Sequence, residues 1–336
     1  MPTFAHWTSR IVRSGIQCQD ALGLVSRCAV LSAALAISLT APSMAQQAVS
    51  SVPWRSTGAQ QTFDDLPEAA RRRLPSSLGN DEYVNALRNA PALMIDGTTI
   101  SLMRNRGAQT YTITASRIEF AHGGRIVTNG LDLVVQSLEI ASDGGEIVSF
   151  GQGRTNATSA PPGQAGMPGS GGGTVILDSS LSRNDILRVN LGGEDGQAGG
   201  PGLAGATGAK GPRGDNGSDH LFDCSHGGGN GGQGSPGGRG GNGGNGGQGG
   251  NGGRLILKGK LAAQRAQIEF SAPGGHGGDG GGAGAPGLGG PGGDGGNGST
   301  YCRGGGPGPN GPPGQPGQAG HNGADGLSGQ VFADVP

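Results

Sequence analysis

Hydrophobic and polar residues follow three different patterns along this chain. Two short helical patterns, around Asp64–Leu74 and Asn80–Asn89, are bounded by prolines. From about Leu93, short runs rich in β-branched residues are punctuated by Gly and Asn, which is typical of β-strands. After position 190 glycine dominates and the hydrophobic alternation is interrupted. The pattern therefore predicts a small helical cap, a β region and a glycine-rich region.

The β-type runs contain a weak internal repeat. Each of four short apolar runs is followed by a Gly-Gly pair, namely Ile118-Glu-Phe120, Leu138-Glu-Ile140, Leu187-Arg-Val189 and Ile268-Glu-Phe270. The repeating units are about 20 residues long, which is typical of the coils of a solenoid. The sequence therefore predicts a short β-solenoid whose coils stack over a common core, with a small β-sandwich as the alternative.

Four tracts carry glycine at every third position, and we name them the first to fourth tract: 193–217, 228–252, 275–296 and 305–329. A period of three residues is the signature of the polyproline-II helix. Only 218–227 and 299–304 separate the tracts within each pair, so the tracts are predicted to be four antiparallel polyproline-II legs, inserted as two hairpins. The second and third tracts carry a second glycine in most triplets, which suits inner legs with neighbours on two faces.

These triplets resemble known repeats. The Gly-X-Y runs resemble collagen-like repeats, and the Gly-Gly-X runs resemble the glycine-rich repeats of bacterial surface proteins and of the snow-flea antifreeze protein. The resemblance implies a compact bundle of antiparallel polyproline-II helices with disulfides, and it transfers no binding residue. A collagen triple helix needs three chains in register and frequent proline, so a monomer is expected rather than a collagen-type trimer. Disordered glycine linkers are the other alternative.

The N-terminus has the layout of a signal peptide. Three arginines precede the apolar run Cys28–Leu39, and Ala41-Pro-Ser-Met-Ala45 provides small residues for cleavage. No later segment is predicted to cross a bilayer, so the mature chain is expected to be secreted, periplasmic or on the outer cell surface. The predicted organisation is a signal peptide at 1–45, a flexible segment with a helical cap at 46–92, β-solenoid coils at 93–192, and a glycine-repeat bundle at 193–336 with an interposed β unit at 254–274.

Cleavage would leave two cysteines, Cys224 and Cys302, each in a short turn between two tracts. An even pair in an oxidising compartment predicts a disulfide, and equal leg lengths would bring both turns to the same end. Zinc or copper is the alternative, since the first turn also carries ligand-type side chains: Asp219, His220, Asp223 and His226. The disulfide is the preferred interpretation, and no metal or cofactor is predicted.

The sequence carries no signature of catalysis. GxSxG, HExxH and P-loop motifs are absent, and the many GxGxxG matches follow trivially from the glycine period. The chain is therefore predicted not to be an enzyme. The net charge of −1 gives no reason to expect nucleic acid as a partner. Arg213-Gly214-Asp215 matches a cell-attachment tripeptide, but such a match arises easily by chance in a Gly-X-Y tract.

Large apolar and aromatic residues gather at the two turns, and contact surfaces are enriched in such residues. The leading hypothesis is an exported structural or adhesive protein that presents a tip on a stiff glycine-repeat spacer to an extracellular surface, glycan or protein receptor. The candidate tip contacts are His220, Leu221, Phe222, Tyr301 and Arg303. The alternative is an ice- or glycan-binding module on the bundle flank, whose ladder would be Asn230, Asn242, Asn245 and Asn251, interrupted by Gln233, Arg239 and Gln248.

Overall fold

Short strands with alternating buried side chains make up much of the chain. The computed structural model describes residues 53–103, 110–151, 158–182 and 185–334. In chain order, the elements are β1 Trp54–Arg55, β2 Gln60–Thr62, α1 Asn80–Arg88, β3 Leu93–Asp96, β4 Thr99–Ser101, β5 Thr110–Ala121, β6 Arg125–Val127, β7 Asp132–Ser142, β8 Glu146–Val148, β9 Thr174–Asp178, β10 Leu187–Asn190, β11 Ser218–His220, β12 Asp223–His226, β13 Arg254–Lys258, α2 Lys260–Ala263, β14 Ile268–Ser271 and β15 Gln330–Ala333.

Two parallel sheets hold all of these strands except β11 and β12. The seven-stranded sheet has the order β1-β3-β5-β7-β9-β13-β15, and the six-stranded sheet has the order β14-β10-β8-β6-β4-β2. The chain therefore passes repeatedly from one sheet to the other. Among the described residues, no helix is long and apolar enough to span a membrane.

The hydrophobic core lies between the two sheets, because alternate residues of each strand point inward. In β3, Leu93 and Ile95 are buried, whereas Met94 and Asp96 are partly exposed. Because neighbouring strands are parallel and in register, similar side chains lie next to each other across each sheet. One stack of the six-stranded sheet is Ile100, Ile126, Ile147, Val189 and Phe270. A facing stack of the seven-stranded sheet is Tyr111, Leu133, Val175, Leu255 and Val331.

Gly-Gly pairs form two of the corners where the chain leaves the seven-stranded sheet. The first glycine of each pair takes a left-handed conformation, with φ of 74° at Gly123 and 70° at Gly144. The second glycine makes a close approach, since a Cβ on Gly145 would lie 2.4 Å from the Cβ of Phe120. These corners therefore need glycine for two different reasons.

The fold-class prediction of a short β-solenoid, or alternatively a β-sandwich, with four inserted antiparallel legs is wrong. The structure is a parallel α/β arrangement of seven- and six-stranded sheets with few helices, and its strands extend from Trp54 to Ala333. The predicted repeat mixed strands of both sheets: Ile118 belongs to one sheet and Leu187 to the other. Its alignment was also two residues out of register, because Ile118 pairs with Ile140. A period of two cannot reveal such an error.

The glycine tracts continue the strands. The first and third tracts follow β10 and β14 of the six-stranded sheet, and the second and fourth lead into β13 and β15 of the seven-stranded sheet. A fifth, short tract, residues 163–173, leads into β9 and was not predicted. Its glycines at 163, 166, 169 and 172 follow the same period. Tracts of the same sheet run parallel, and tracts of different sheets run antiparallel, so the bundle has two layers.

Hydrogen bonds between backbones hold the tracts together at every third residue. Gly247 donates its N–H to the carbonyl of Gln197 in the first tract at 2.8 Å, and Gly278 of the third tract donates to Gly247 at 2.8 Å. The spacing leaves no room for side chains between tracts. A Cβ on Gly246 would lie 1.8 Å from the carbonyl oxygen of Gly278, and one on Gly281 would lie 2.0 Å from that of Gly200.

The segment between β2 and β3 packs on the outer face of the seven-stranded sheet. It contains two 3₁₀ turns, Phe63–Asp65 and Glu68–Arg71, followed by α1. The backbone N–H of Leu74 donates to Oε1 of Gln136 at 2.9 Å, and the Tyr83 hydroxyl donates to Oδ2 of Asp178 at 2.7 Å. Burial, reinforced by this hydrogen bond, raises the pKa of Tyr83. The tyrosine therefore stays neutral and works as a fixed donor that attaches α1 to the sheet.

Candidate functional site at the distal tip

The turn between the first and second tracts is a small antiparallel hairpin. Strands β11 and β12 pair Asp219 with Cys224 and His220 with Asp223. The two residues between the strands are Leu221 and Phe222, and Leu221 takes a left-handed conformation with φ of 52°. Their side chains are 81% and 83% exposed. The hairpin therefore projects two large apolar side chains into solvent.

The turn between the third and fourth tracts lies against this hairpin. The carboxylate of Asp219 accepts hydrogen bonds from the backbone N–H of Thr300 at 3.0 Å and of Tyr301 at 3.2 Å, and also from the Ser299 hydroxyl. Three donors on one carboxylate fix the second turn relative to the first. Tyr301, beside this contact, is 49% exposed.

A disulfide joins the two turns. Cys224 and Cys302, the cysteines predicted to pair, are bonded to each other with their Cα atoms 5.0 Å apart and 78 residues apart in sequence. Cys302 is buried, at 6% exposure, whereas Cys224 lies on the exposed strand β12. The disulfide and the Asp219 contacts therefore hold the tip at two points.

All five predicted tip residues lie on these two turns and are exposed: His220, Leu221, Phe222, Tyr301 and Arg303. The two turns, which the disulfide joins, therefore expose two apolar side chains, a tyrosine ring, an imidazole and a guanidinium group. Such a surface suits contact with another surface, because aromatic and arginine side chains contribute strongly to binding interfaces.

Three of the ligand-type side chains of the first turn have other partners. Cys224 is in the disulfide, Asp219 accepts the hydrogen bonds of the second turn, and Nδ1 of His226 is 2.9 Å from the Ser218 hydroxyl. Within the described part of the chain, no group of three or more His, Cys, Asp or Glu side chains is arranged to hold a metal ion. Arg213 of the attachment-like tripeptide has its guanidinium directed at the side chain of Asn297, the residue that follows the third tract.

The asparagine ladder proposed for the bundle flank contacts the fourth tract. The side-chain oxygens of these four asparagines accept backbone N–H groups at 2.8 to 2.9 Å, pairing Asn230 with Gly306, Asn242 with Gln318, Asn245 with His321 and Asn251 with Leu327. One of the interruptions has a reason: Gln233 lies opposite Pro309, which has no N–H to donate, and Pro236 in the same row lies likewise opposite Pro312. The ladder is therefore a seam between two tracts.

Sequence reasoning missed this role because it treated each tract alone. The signal was a constant separation of 76 residues between each asparagine and the N–H that it accepts.

A second polar cluster, around Asp96 in the sheet region, was also not predicted. Asp96 accepts from Arg55, and Nδ1 of His122 lies 2.6 Å from its other oxygen. Arg55 and His122 lower the pKa of Asp96, and Asp96 raises the pKa of His122.

A cleft of about 320 Å³ separates the segment between β2 and β3 from the outer face of the seven-stranded sheet. Tyr83, Gln136 and Asp178 line it, and their polar atoms are engaged with each other or with the backbone. The tip therefore remains the best candidate for a functional surface. Comparisons with protein-family models, with curated proteins and with solved structures gave no match.

Proposed function

We propose that this chain is an exported structural or adhesive protein that presents the distal tip on a stiff glycine-repeat spacer. The observation that carries the proposal is the exposure of Leu221 and Phe222 at the end of a bundle whose tracts are hydrogen-bonded along their length. At a rise of about 3.1 Å per residue, a tract of 25 residues spans roughly 75 Å. The tip would therefore stand well clear of the two sheets.

The rigidity of the tip supports a recognition role. Ordering a flexible loop on binding costs free energy, whereas a surface held in place beforehand avoids that cost. The disulfide and the three hydrogen bonds to Asp219 order both turns. The partner we propose is an extracellular surface, glycan or protein receptor that accommodates an apolar projection. Export depends on the signal peptide predicted at 1–45, which lies outside the described residues.

A binding screen with matched variants tests the proposal. The mature protein would be screened on glycan arrays and on cell surfaces beside a tip variant, Leu221→Ser with Phe222→Ser and Tyr301→Ser. The control variant, Leu288→Ser with Leu327→Ser, removes apolar residues that are 71% and 74% exposed on the tracts. We expect the tip variant alone to lose binding. Equal binding by the tip variant and the unmodified protein would contradict the proposal.

A further inference from the structure

The short tract fills only the inner part of a longer groove between the first and second tracts. Its glycines donate to second-tract carbonyls at 2.8 to 2.9 Å, pairing Gly166 with Asn245, Gly169 with Gln248 and Gly172 with Asn251. Its carbonyls accept from the first tract at 2.9 Å, pairing Ser170 with Glu194, Met167 with Gln197 and Gln164 with Gly200. Three triplets of chain thus make six backbone hydrogen bonds in this groove.

The groove continues beyond the end of the short tract. A turn in which Gln164 donates to the carbonyl of Pro161 at 3.0 Å leads the chain away, and Gly163 takes φ of 72° there. Further out, the first and second tracts keep the same spacing, since Gly241 donates to Leu203 and Gly238 donates to Ala206, each at 2.7 Å. The walls of the groove are therefore unchanged where the short tract no longer covers them.

The uncovered stretch, which we name the open groove, repeats the hydrogen-bonding groups of the covered one. Its donors are the N–H groups of Leu203, Ala206 and Ala209, and its acceptors are the carbonyls of Pro236, Arg239 and Asn242. Each follows its covered counterparts at intervals of three residues. Within the described ranges, none of these six groups has a hydrogen-bond partner. The open groove thus repeats the donors and acceptors that the short tract uses. The N–H of Ser235 is bonded to Ala209, so the Ser235 Cβ lies beside the third donor, and an occupant reaches two donors and three acceptors.

The burial of the second-tract glycines shows which part of the groove is uncovered. Gly244, Gly247 and Gly250 of the second tract are buried beneath the short tract, whereas Gly238 and Gly241, in the same row, are only half-buried. Ser235 replaces glycine at the next position of the row and limits the groove at its outer end. The free length is a little over two triplets. An occupant of this length would meet two bare glycines and an unbroken line of backbone groups.

We propose that the open groove binds an extended polypeptide with glycine at every third residue, supplied by a partner molecule. The short tract is the template for this occupant. A Cβ at Gly166 or Gly169 would lie 1.9 or 2.0 Å from a first-tract carbonyl oxygen, so the occupant needs glycine there. The mode resembles strand addition to a sheet edge, in which backbone hydrogen bonds give affinity. A second folded copy of this chain is a poor occupant, because its long tracts already turn their glycine faces inward.

Proline substitutions test the groove without disturbing the bundle. Pro212 already occupies the first-tract position that follows glycine, and its carbonyl still accepts from Gly232 at 2.8 Å. The triple variant Leu203→Pro, Ala206→Pro and Ala209→Pro therefore removes the three donors while keeping a residue that suits the tract. The control, Ala204→Pro with Thr207→Pro, changes the next position of two triplets, which points in another direction of the threefold helix.

The probe is the fluorescent peptide Gly-Gln-Pro repeated three times, with Ala-Gln-Pro repeated three times as its matched control. We expect saturable binding of the glycine peptide to the unmodified protein, at least tenfold weaker binding to the triple variant, and unchanged binding to the control variant. Thermal melting of all three proteins should coincide. Equal binding to the triple variant, equal binding of the alanine peptide, or no saturable binding up to about 1 mM would each overturn the proposal. So would self-association of the unmodified protein that the triple variant abolishes, since the occupant would then be a second copy.

Discussion

The glycine tracts of the bundle run on from the strands of the two sheets, but different interactions hold the two regions together. Between the sheets, large side chains such as Ile126, Leu133 and Leu177 are fully buried, and each contributes roughly 1.5 to 3 kcal/mol through burial. In the bundle, backbone hydrogen bonds recur at every third residue, and each contributes only about 1 kcal/mol net. The bundle therefore gains its stability from many weak backbone hydrogen bonds, each of which requires two tracts to lie close together.

The two regions therefore tolerate substitution in opposite ways. A hydrophobic core accepts one apolar residue for another of similar volume at modest cost. The bundle interior accepts no side chain at all, because an added Cβ would lie about 2 Å from a facing carbonyl oxygen at positions such as Gly246 and Gly281. The sheets also set the register of the bundle, since each tract joins a paired strand. Four experiments probe this contrast.

Loss of the disulfide should have the largest effect. The bond closes a loop of 78 residues, and loop-closure entropy assigns roughly 4 kcal/mol to a crosslink of this size. We expect reduction to lower the melting temperature of the bundle while the sheets melt as before. Differential scanning calorimetry with and without reductant measures this, with the Cys224→Ser and Cys302→Ser double variant as the reductant control. Identical melting of the oxidised and reduced protein would show that the tip adds nothing to bundle stability.

A methyl group added inside the bundle should have the next largest effect. Gly281→Ala places a Cβ 2.0 Å from the carbonyl oxygen of Gly200, whereas a Cβ on the neighbouring Gly282 has nothing within 4 Å. We expect Gly281→Ala to destabilise by about 2 to 3 kcal/mol, as in overpacking, and Gly282→Ala to be neutral or stabilising by up to about 1 kcal/mol. The measurement is the midpoint of urea unfolding of both variants, compared with that of the unmodified protein. Similar midpoints would contradict close packing of the tracts.

Removal of one asparagine from the seam should have a smaller effect. The side chain of Asn245 accepts the N–H of His321 at 2.9 Å, and Asn245→Ala should cost about 1 kcal/mol by leaving that group to water. Gln248→Ala, one triplet further along the same row, is the control because its side chain makes no such bond in the described structure. Hydrogen exchange at His321 should quicken only in Asn245→Ala. Equal exchange in both variants would argue against the seam.

The pair of His122 and Asp96 in the sheet region should give the smallest effect, with a defined pH dependence. The pKa of His122 is raised above 6.5, so its stabilisation is complete below that value and is lost as pH rises through the raised pKa. The pKa of Asp96 is lowered below 3.8, so its contribution is complete above that value and is lost as pH falls through the lowered pKa. His122→Asn, which tolerates the left-handed φ of 49°, should lower the urea midpoint at pH 5 and leave it unchanged at pH 9. A loss of the same size at both pH values would mean that the ion pair contributes nothing.

Local features of the molecule could be read from the sequence because they depend on neighbouring residues. The helical pattern near Asn80 corresponds to α1, and the glycine period marks the hydrogen-bonding residues of all four long tracts. Only two cysteines remain after the predicted cleavage, and in a monomer they can pair only with each other. The number of cysteines was therefore enough to predict the disulfide. The candidate tip stays a prediction, made because large apolar and aromatic residues gather at the two turns.

Only the tertiary structure decided which strands share a sheet and in which register. Ile118 and Leu187 carry the same local pattern but lie in different sheets, because alternation with a period of two specifies an inward face and not a partner. The role of Asn245 likewise depends on a tract 76 residues away. The open groove exists because packing places the first and second tracts side by side. Periodicity along a chain determines local conformation, whereas the tertiary packing determines which segments distant in sequence become neighbours.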